Sequence, residues 1–217
     1  MTDRKLPVYL LLDVSGSMEG DPIVAVNSGA QMVIEQLQQD ETTQSCVWIS
    51  VITFADDAQQ VVPLTALEFF HMPDLTAGGR TALGPALSML CECRDREVGM
   101  GAAARGTGDY KPLVFLMTDG AQNEGDFSKG ISDFRAHNWG CEVFLAAGPK
   151  ANVNELKQID NEATILKIEE ATPEKLRKFF KLVTQSVKSV AKGQEINVQQ
   201  EWGAGEIVQD QGAPIDT

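Results

Sequence analysis

The stretch Val8-Tyr9-Leu10-Leu11-Leu12-Asp13-Val14-Ser15-Gly16-Ser17 decides the fold. Its first half is a continuous apolar run of strand length, and Pro22 opens a helical pattern soon after it ends. A buried parallel strand that ends in a carboxylate, a tight turn and the start of a helix is the usual layout of a ligand site in an open α/β sheet. The stretch therefore predicts an α/β domain with a ligand site at this strand end.

Asp13, Ser15 and Ser17 would supply the oxygen atoms of that site. Asp13 has an anionic carboxylate, the serines have neutral hydroxyls, and Gly16 lets the backbone fold tightly enough for the three side chains to converge. Together they would form half of an octahedral cation shell. A helix cap and a turn use the same residue types, so this segment alone leaves a structural role equally open.

Two further segments can complete the shell. The sequence LVFLMTDG (residues 113–120) is a second apolar run, and it ends in Asp119. The glycine-rich sequence TAGGRT (residues 76–81) brings the hydroxyl of Thr81 to the start of a helix. Asp-Gly is also a common turn and Thr a common helix cap, but the joint occurrence of all three segments favours a metal site.

In this order, D-x-S-x-S, a distant Thr and a distant Asp resemble the metal-ion-dependent adhesion site (MIDAS) of the von Willebrand factor A (vWA) family. The resemblance covers residues 1–192, and we assign residues 193–217 to an acidic C-terminal tail. It implies that Asp13, Ser15 and Ser17 form the fixed part of the site, while Thr81 and Asp119 bind the metal directly or through water. A Glu or Asp carboxylate of a partner protein would then complete the shell.

The donor set predicts the metal. All ligands are oxygens and only two are anionic, which suits Mg²⁺ with positions left for water or an outside group. Mn²⁺ fits the same octahedral shell, and Ca²⁺ is a further alternative.

The order of the apolar segments predicts the fold. Strands are expected at residues 8–12, 46–54, 60–64, 111–118, 141–147 and 163–168. Helical patterns lie between them, at residues 22–38, 81–96, 126–137 and 152–159, and a last one starts at residue 173. This order predicts a doubly wound, mostly parallel six-stranded sheet with one antiparallel edge strand, residues 60–64, and helices on both faces. The vWA fold has this Rossmann-like arrangement.

Composition limits the partners. The net charge of −13 argues against nucleic acid and against an anionic membrane surface, since both need clustered Lys and Arg. No apolar run has transmembrane length and no signal peptide is apparent, so we expect a cytoplasmic protein. The four cysteines have no zinc-site spacing and are expected to be free thiols.

The C-terminal tail is acidic and contains a tryptophan. Its acidic residues are Glu195, Glu201, Glu206, Asp210 and Asp216, and it contains no Lys or Arg. Trp202 lies among polar residues there, and it would either pack on the domain's own surface or contact a partner.

The leading hypothesis for function is a non-catalytic interaction module whose metal bridges to a partner's carboxylate. LLLDVSGSMEGDPI, GGRTALGPAL and VFLMTDG most resemble the TerY-like proteins of bacterial tellurium-resistance and stress-response systems. That resemblance implies kinase-like or phosphatase-like protein partners. Two alternatives stay open: a metal-dependent phosphohydrolase that uses Asp13 and Asp119, and a vWA subunit of an AAA+ ATPase metal-insertion complex.

Overall fold

Apolar strands and amphipathic helices alternate along the chain and build a layered α/β structure. The computed structural model describes residues 4–98, 109–122, 125–196, 198, 202 and 207–209. The strands are β1 (Leu6–Asp13), β2 (Val47–Phe54), β3 (Ala58–Ala66), β4 (Leu113–Thr118), β5 (Cys141–Ala147), β6 (Thr164–Ile168) and β7 (Ile207–Gln209). The α-helices are α1 (Asp21–Gln38), α2 (Glu41–Cys46), α3 (Leu83–Glu97), α4 (Phe127–Arg135), α5 (Val153–Ile159) and α6 (Pro173–Ala191).

The sheet order is β3-β2-β1-β4-β5-β6-β7. Strands β2, β1, β4, β5 and β6 are parallel to their neighbours in this series, and β3 is an antiparallel edge strand. The predicted fold class is confirmed. The sheet has seven strands and not six, because β7 pairs antiparallel with β6 at the other edge. Three residues are too few to show a period, so the sequence did not reveal this strand.

The central strands are buried on both faces, which is why they read as continuous apolar runs. Alternate residues of β1 point into different layers of the core. Leu10 and Leu12 pack in the layer with α1 and α6, whereas Tyr9 and Leu11 pack in the layer with α3, α4 and α5.

Helix α2 was not predicted, because its sequence ETTQSC is short and polar. The side chain of Asp40 caps it, accepting hydrogen bonds from the backbone N–H groups of Thr42 and Thr43. The cap, the buried Thr43 and the contact of Cys46 with the core hold this short helix in place.

The described part of the tail lies on the domain. Val198 and Trp202 are buried in the same core layer as α6, and the Lys178 ammonium lies 4.7 Å from the centre of the Trp202 ring. The Lys178 Nζ also donates a hydrogen bond to the Trp202 carbonyl oxygen. Of the two interpretations of Trp202, the structure supports packing on the domain's own surface. The acidic residues Glu201, Glu206, Asp210 and Asp216 lie outside the described residues.

The structure describes the state of the cysteines and the character of the helices. All four cysteines are free thiols. Among the described residues, no helix combines the length and the apolar character that crossing a bilayer requires.

Candidate metal centre

The sheet register brings the candidate residues to one edge. β1 and β4 are parallel neighbours in which Leu12 is paired with Met117, so both strands end at the same level. Asp13 ends β1, and Asp119 follows β4 directly. Because the carboxyl ends of adjacent parallel strands meet at one sheet edge, two residues far apart in sequence become neighbours there.

Hydrogen bonds connect four of the five predicted residues. The backbone N–H of Ser15 donates to Oδ1 of Asp13 at 2.8 Å. The Ser17 hydroxyl donates to Oδ1 of Asp119 at 2.7 Å. The Ser15 and Ser17 hydroxyl oxygens are 3.1 Å apart. Both carboxylates and both serine hydroxyls therefore converge at the ends of β1 and β4.

Thr81 reaches the same place on its own loop. Backbone hydrogen bonds tie this loop to the strand ends: Gly16 N–H donates to the Gly79 carbonyl at 2.9 Å, and Gly78 N–H donates to the Val14 carbonyl at 2.8 Å. Thr81 is buried, and a Cβ added to Gly120 would meet its Oγ1 at 3.0 Å. The Thr81 hydroxyl thus faces the residue that follows Asp119, and the structure brings all five predicted residues together.

Gly16 allows a close backbone approach without a left-handed conformation. Its φ is not positive. A Cβ at this position would come within 3.3 Å of the Gly79 carbonyl oxygen. The absence of a side chain therefore lets the first segment approach the Thr81 loop closely.

Asp56 fixes the Thr81 loop and was not singled out from the sequence. Its Oδ1 accepts a hydrogen bond from the Arg80 backbone N–H at 3.0 Å. Gly79 has φ of 83°, and a Cβ on it would lie 2.8 Å from the Asp56 carboxyl carbon. Only glycine suits both the backbone conformation and this contact. In the sequence, Asp56 looked like a turn residue after β2, and no local pattern links it to Arg80.

Thr118 is a second residue that the sequence analysis missed. Its Oγ1 donates to Oδ2 of Asp13 at 2.6 Å and lies 3.3 Å from the Gly120 backbone N–H. Both oxygens of Asp13 therefore accept a hydrogen bond from within the site. The available signal was a polar residue at the end of an otherwise apolar strand, beside Asp119.

The loop that follows Asp119 is anchored by Gln122 and Glu155. The Gln122 backbone N–H donates to Oε2 of Glu155 at 2.8 Å. The side-chain Oε1 of Gln122 accepts a hydrogen bond from the Gly84 N–H at 3.0 Å. These contacts join the Asp119 loop to the starts of α3 and α5. The geometry of Asp119 is thus held from two sides.

The electrostatics of the site favour a cation. Asp13 is fully buried and Asp119 is only 8% exposed. Burial raises the pKa of both carboxyl groups above their ordinary value, and hydrogen bonds from Ser15 and Thr118 to Asp13, and from Ser17 to Asp119, oppose this effect. Neither carboxylate forms an ion pair with another described residue, although the charge of Lys150 acts to lower the pKa of Asp119. Two buried carboxylates without a directly bound counter-charge would be stabilised by a divalent ion.

The donor chemistry fits Mg²⁺ or Mn²⁺. All five side chains offer oxygen, and none offers nitrogen or sulfur. Among the described residues, no three His, Cys, Asp or Glu side chains are grouped as a metal site would need. The candidate centre has only two carboxylates, and three hydroxyls make up the rest of its donor set.

Comparisons with known proteins agree with the fold. The sequence profile of the von Willebrand factor type A domain matches residues 8–185. An uncharacterized protein of Synechocystis sp. is 34% identical over 131 residues, which are 57% of this chain and 28% of that protein.

Solved structures of similar fold include a von Willebrand factor type A protein from Catenulispora acidiphila, with a TM-score of 0.66 and 19% identity over 86% of this chain and 43% of that one. Proximal thread matrix protein 1 from the mussel byssus, in a form with a zinc-occupied MIDAS motif, gives a TM-score of 0.58 and 20% identity over 84% of this chain and 48% of that one. The chain therefore spans less than half the length of these relatives, and identities this low show the fold alone.

Proposed function

This chain belongs to the von Willebrand factor type A domain family, and from that premise we propose that it is a non-catalytic, metal-dependent protein-interaction module. The residues that would hold the metal are Asp13, Ser15, Ser17, Thr81 and Asp119. Domains of this family often mediate metal-dependent protein interactions. The partner and its recognition through a carboxylate are proposals for this chain.

The hydrogen bond from Ser17 to Asp119 is the observation that carries the proposal. It joins the segment after β1 to the end of β4 across 102 residues of sequence, at 2.7 Å. Asp13 and Asp119 are both buried, so water would screen the repulsion between their negative charges only weakly. A cation between them would remove this repulsion. An arrangement that served only as a turn and a helix cap would not require the second carboxylate.

A bound Mg²⁺ would supply a positive centre able to accept one further oxygen ligand from outside the chain. Asp13, held by Ser15 N–H and Thr118 Oγ1, would keep a fixed orientation. With only two protein anions in the site, a divalent ion would be formally neutralised but not surrounded by anions, so it could still accept a carboxylate as that outside ligand. A Glu or Asp side chain of a partner protein is the simplest source.

The burial of Asp13 counts against one form of the phosphohydrolase alternative, in which Asp13 is the nucleophile. A nucleophilic carboxylate must be reachable by its substrate, but Asp13 is fully buried and both of its oxygens accept hydrogen bonds. Asp13 is therefore placed to orient and bind rather than to attack.

The biological setting of the proposal rests on the resemblance of three segments to TerY-like proteins. We place the protein in the cytoplasm, in a bacterial tellurium-resistance or stress-response system, with a kinase-like or phosphatase-like partner. Nucleic acid and membranes are not expected as partners, given the net charge of −13. The use of Mg²⁺ rather than Mn²⁺ or Ca²⁺ belongs to the same proposal.

Calorimetric titration with Mg²⁺, Mn²⁺, Ca²⁺ and Zn²⁺ tests the metal site. Wild-type protein should bind one divalent ion, and Asp13→Asn should weaken binding by at least about tenfold. Asp109→Asn is the matched control, because Asp109 lies before the start of β4, at the opposite end of the strands from the candidate site, where its Oδ1 accepts the backbone N–H of Lys5. Equal binding by both variants would contradict the proposal. Hydrolysis of p-nitrophenyl phosphate that Asp13→Asn abolishes would instead support the enzyme.

A further inference from the structure

A groove between α1 and α6 has a charge opposite to that of the whole protein. Its volume is about 510 Å³, and its lining includes Met32 and Gln36 of α1 and, from α6, Arg177, Lys178, Lys181 and Lys188. Glu174 is the acidic residue among those that line it. Helix α6 as a whole has five basic residues and one acidic residue, whereas the chain has a net charge of −13. Positive charge is therefore concentrated on this face.

The groove follows from the packing of the two helices. α1 and α6 approach closely on the core side, where a Cβ added to Gly29 would come within 2.2 Å of the Phe180 ring. On the solvent side, Arg177, Lys181 and Lys188 follow one another at spacings of four and seven residues, which places them along one face of α6. At 1.5 Å per residue they span about 16 Å. The groove is thus elongated.

Three cations of the groove have no counter-charge among the described residues. The side chains of Arg177, Lys181 and Lys188 form no ion pair or hydrogen bond with any described residue, whereas Lys178 contacts Trp202. By contrast, Lys192 at the end of the same helix pairs with Asp40 at 2.7 Å. Clustered like charges without counter-charges destabilise a fold, so an anionic ligand would stabilise this face.

We propose that this groove binds an extended acidic peptide segment of a partner protein. Its length suits several residues of extended chain rather than a single small anion. Met32 and the methylene stems of the lysines offer apolar contact to a peptide. The lining also includes the polar side chain of Gln36, with which the N–H and C=O groups of a peptide backbone can form hydrogen bonds.

This binding surface is separate from the metal centre. None of the residues that line the groove is among the five candidate ligands. The inference therefore does not rest on the proposed function, and binding in the presence of EDTA separates the two.

Fluorescence anisotropy with the full chain in EDTA tests the inference. The probe is a fluorescein-labelled peptide of about eight residues, in which Glu alternates with Ala. At about 3.3 Å per residue, about five of them cover the distance of about 16 Å between Arg177 and Lys188, and the others extend past the ends of the groove. A peptide with Gln in place of Glu is the uncharged comparison. We expect saturable binding of the Glu peptide at about 50 mM salt, at least about tenfold weaker binding of the Gln peptide, and weakening of the former at about 300 mM salt.

A pair of double variants locates the site. Arg177→Glu with Lys181→Glu should weaken binding at least about tenfold. The control double variant, Lys129→Glu with Lys157→Glu, changes the net charge of the protein by the same amount. These two residues lie on α4 and α5, which pack on the opposite face of the sheet. Peptide affinity should therefore change by less than about twofold. Thermal unfolding of both double variants checks that they are folded. If Arg177→Glu with Lys181→Glu is unfolded, the single variant Arg177→Glu replaces it, and binding of the Glu peptide at reduced affinity would support the site.

Several results would overturn the inference. Equal loss in the two double variants would show non-specific attraction, and equal binding of the Glu and Gln peptides would exclude charge recognition. Tighter binding of a single-stranded oligonucleotide or of anionic lipid vesicles at the same residues would assign the groove to a different ligand. A truncation after Gln209 that raises peptide affinity about tenfold would show that the chain's own acidic end is the occupant.

Discussion

The Ser17 hydroxyl donates a 2.7 Å hydrogen bond to Oδ1 of Asp119, which follows a strand 102 residues later. This contact joins the two halves of the candidate metal centre. The contact depends on the register of β1 and β4, because a shift of either strand would separate the two side chains.

Replacing Ser17 with Ala should weaken metal binding while leaving the fold intact. The variant loses one oxygen donor and the hydrogen bond to Asp119, so we expect an affinity for Mg²⁺ lower by about tenfold in calorimetry. Ser28→Ala is the matched control, since Ser28 lies on α1 and its hydroxyl donates to the Ala25 carbonyl within the same helix. An Mg²⁺ affinity of Ser17→Ala equal to that of the control would remove Ser17 from the site.

Gly79→Ala should destabilise the loop that presents Thr81. Gly79 has φ of 83°, and an added Cβ would lie 2.8 Å from the Asp56 carboxyl carbon. We expect a loss of about 1–3 kcal/mol in the free energy of unfolding, measured by urea denaturation, together with weaker Mg²⁺ binding. The adjacent Gly78→Ala has open space around its Cβ and no positive φ, so its loss should stay below about 1 kcal/mol. Similar losses in both variants would show that the contact with Asp56 does not matter.

Trp202→Ala should show whether the C-terminal segment contributes to stability. Trp202 is only 2% exposed and packs in the core layer of α6, so we expect a loss of about 3–5 kcal/mol in unfolding free energy. Phe69→Ala is the matched aromatic control, because Phe69 is 68% exposed and should lose less than about 0.5 kcal/mol. A Trp202→Ala protein as stable as the Phe69 control would mean that packing of Trp202 on the domain does not contribute to stability.

Glu142 should make stability depend on pH. Burial, together with the nearby Asp160 and Glu162, raises the pKa of Glu142 from 4.5 to about 7. The folded state then binds a proton more tightly than the unfolded chain, so stability should fall as pH rises from about 4.5 to about 7. Glu142→Gln should remove this loss and raise the unfolding free energy at pH 8 by about 1–3 kcal/mol, with little change at pH 4.

Chemical denaturation at both pH values measures this effect. Glu68→Gln, at an exposed position, is the control and should change stability little at either pH. If Glu142→Gln were equally stabilising at pH 4 and pH 8, its effect would come from packing and not from the proton.

The candidate metal centre could be predicted from the sequence because its two carboxylates come at the ends of apolar runs. Asp13 and Asp119 each follow a continuous apolar strand, and parallel strands end at a common edge, so their meeting follows from the sequence. Thr81 was predicted through its resemblance to a known pattern.

The parts that the sequence did not reveal depend on contacts between distant segments. Asp56 accepts a hydrogen bond from the N–H of Arg80, 24 residues away on another loop, and Gly29 makes room for Phe180 of another helix. Neither Asp56 nor Gly29 forms part of a local period. Strand β7 has three residues and exists only because the edge of β6 is available. Such features appear only once the tertiary structure is known.

Crystallography of the protein with Mn²⁺, with anomalous scattering recorded, tests the central claim most directly, because Mn²⁺ fits the shell proposed for Mg²⁺ and its position is measured independently of the protein density. The account predicts a single anomalous peak among Asp13, Ser15, Ser17, Thr81 and Asp119, lost in Asp13→Asn. An empty centre at saturating Mn²⁺, or a peak elsewhere with Asp13 and Asp119 apart, would contradict it.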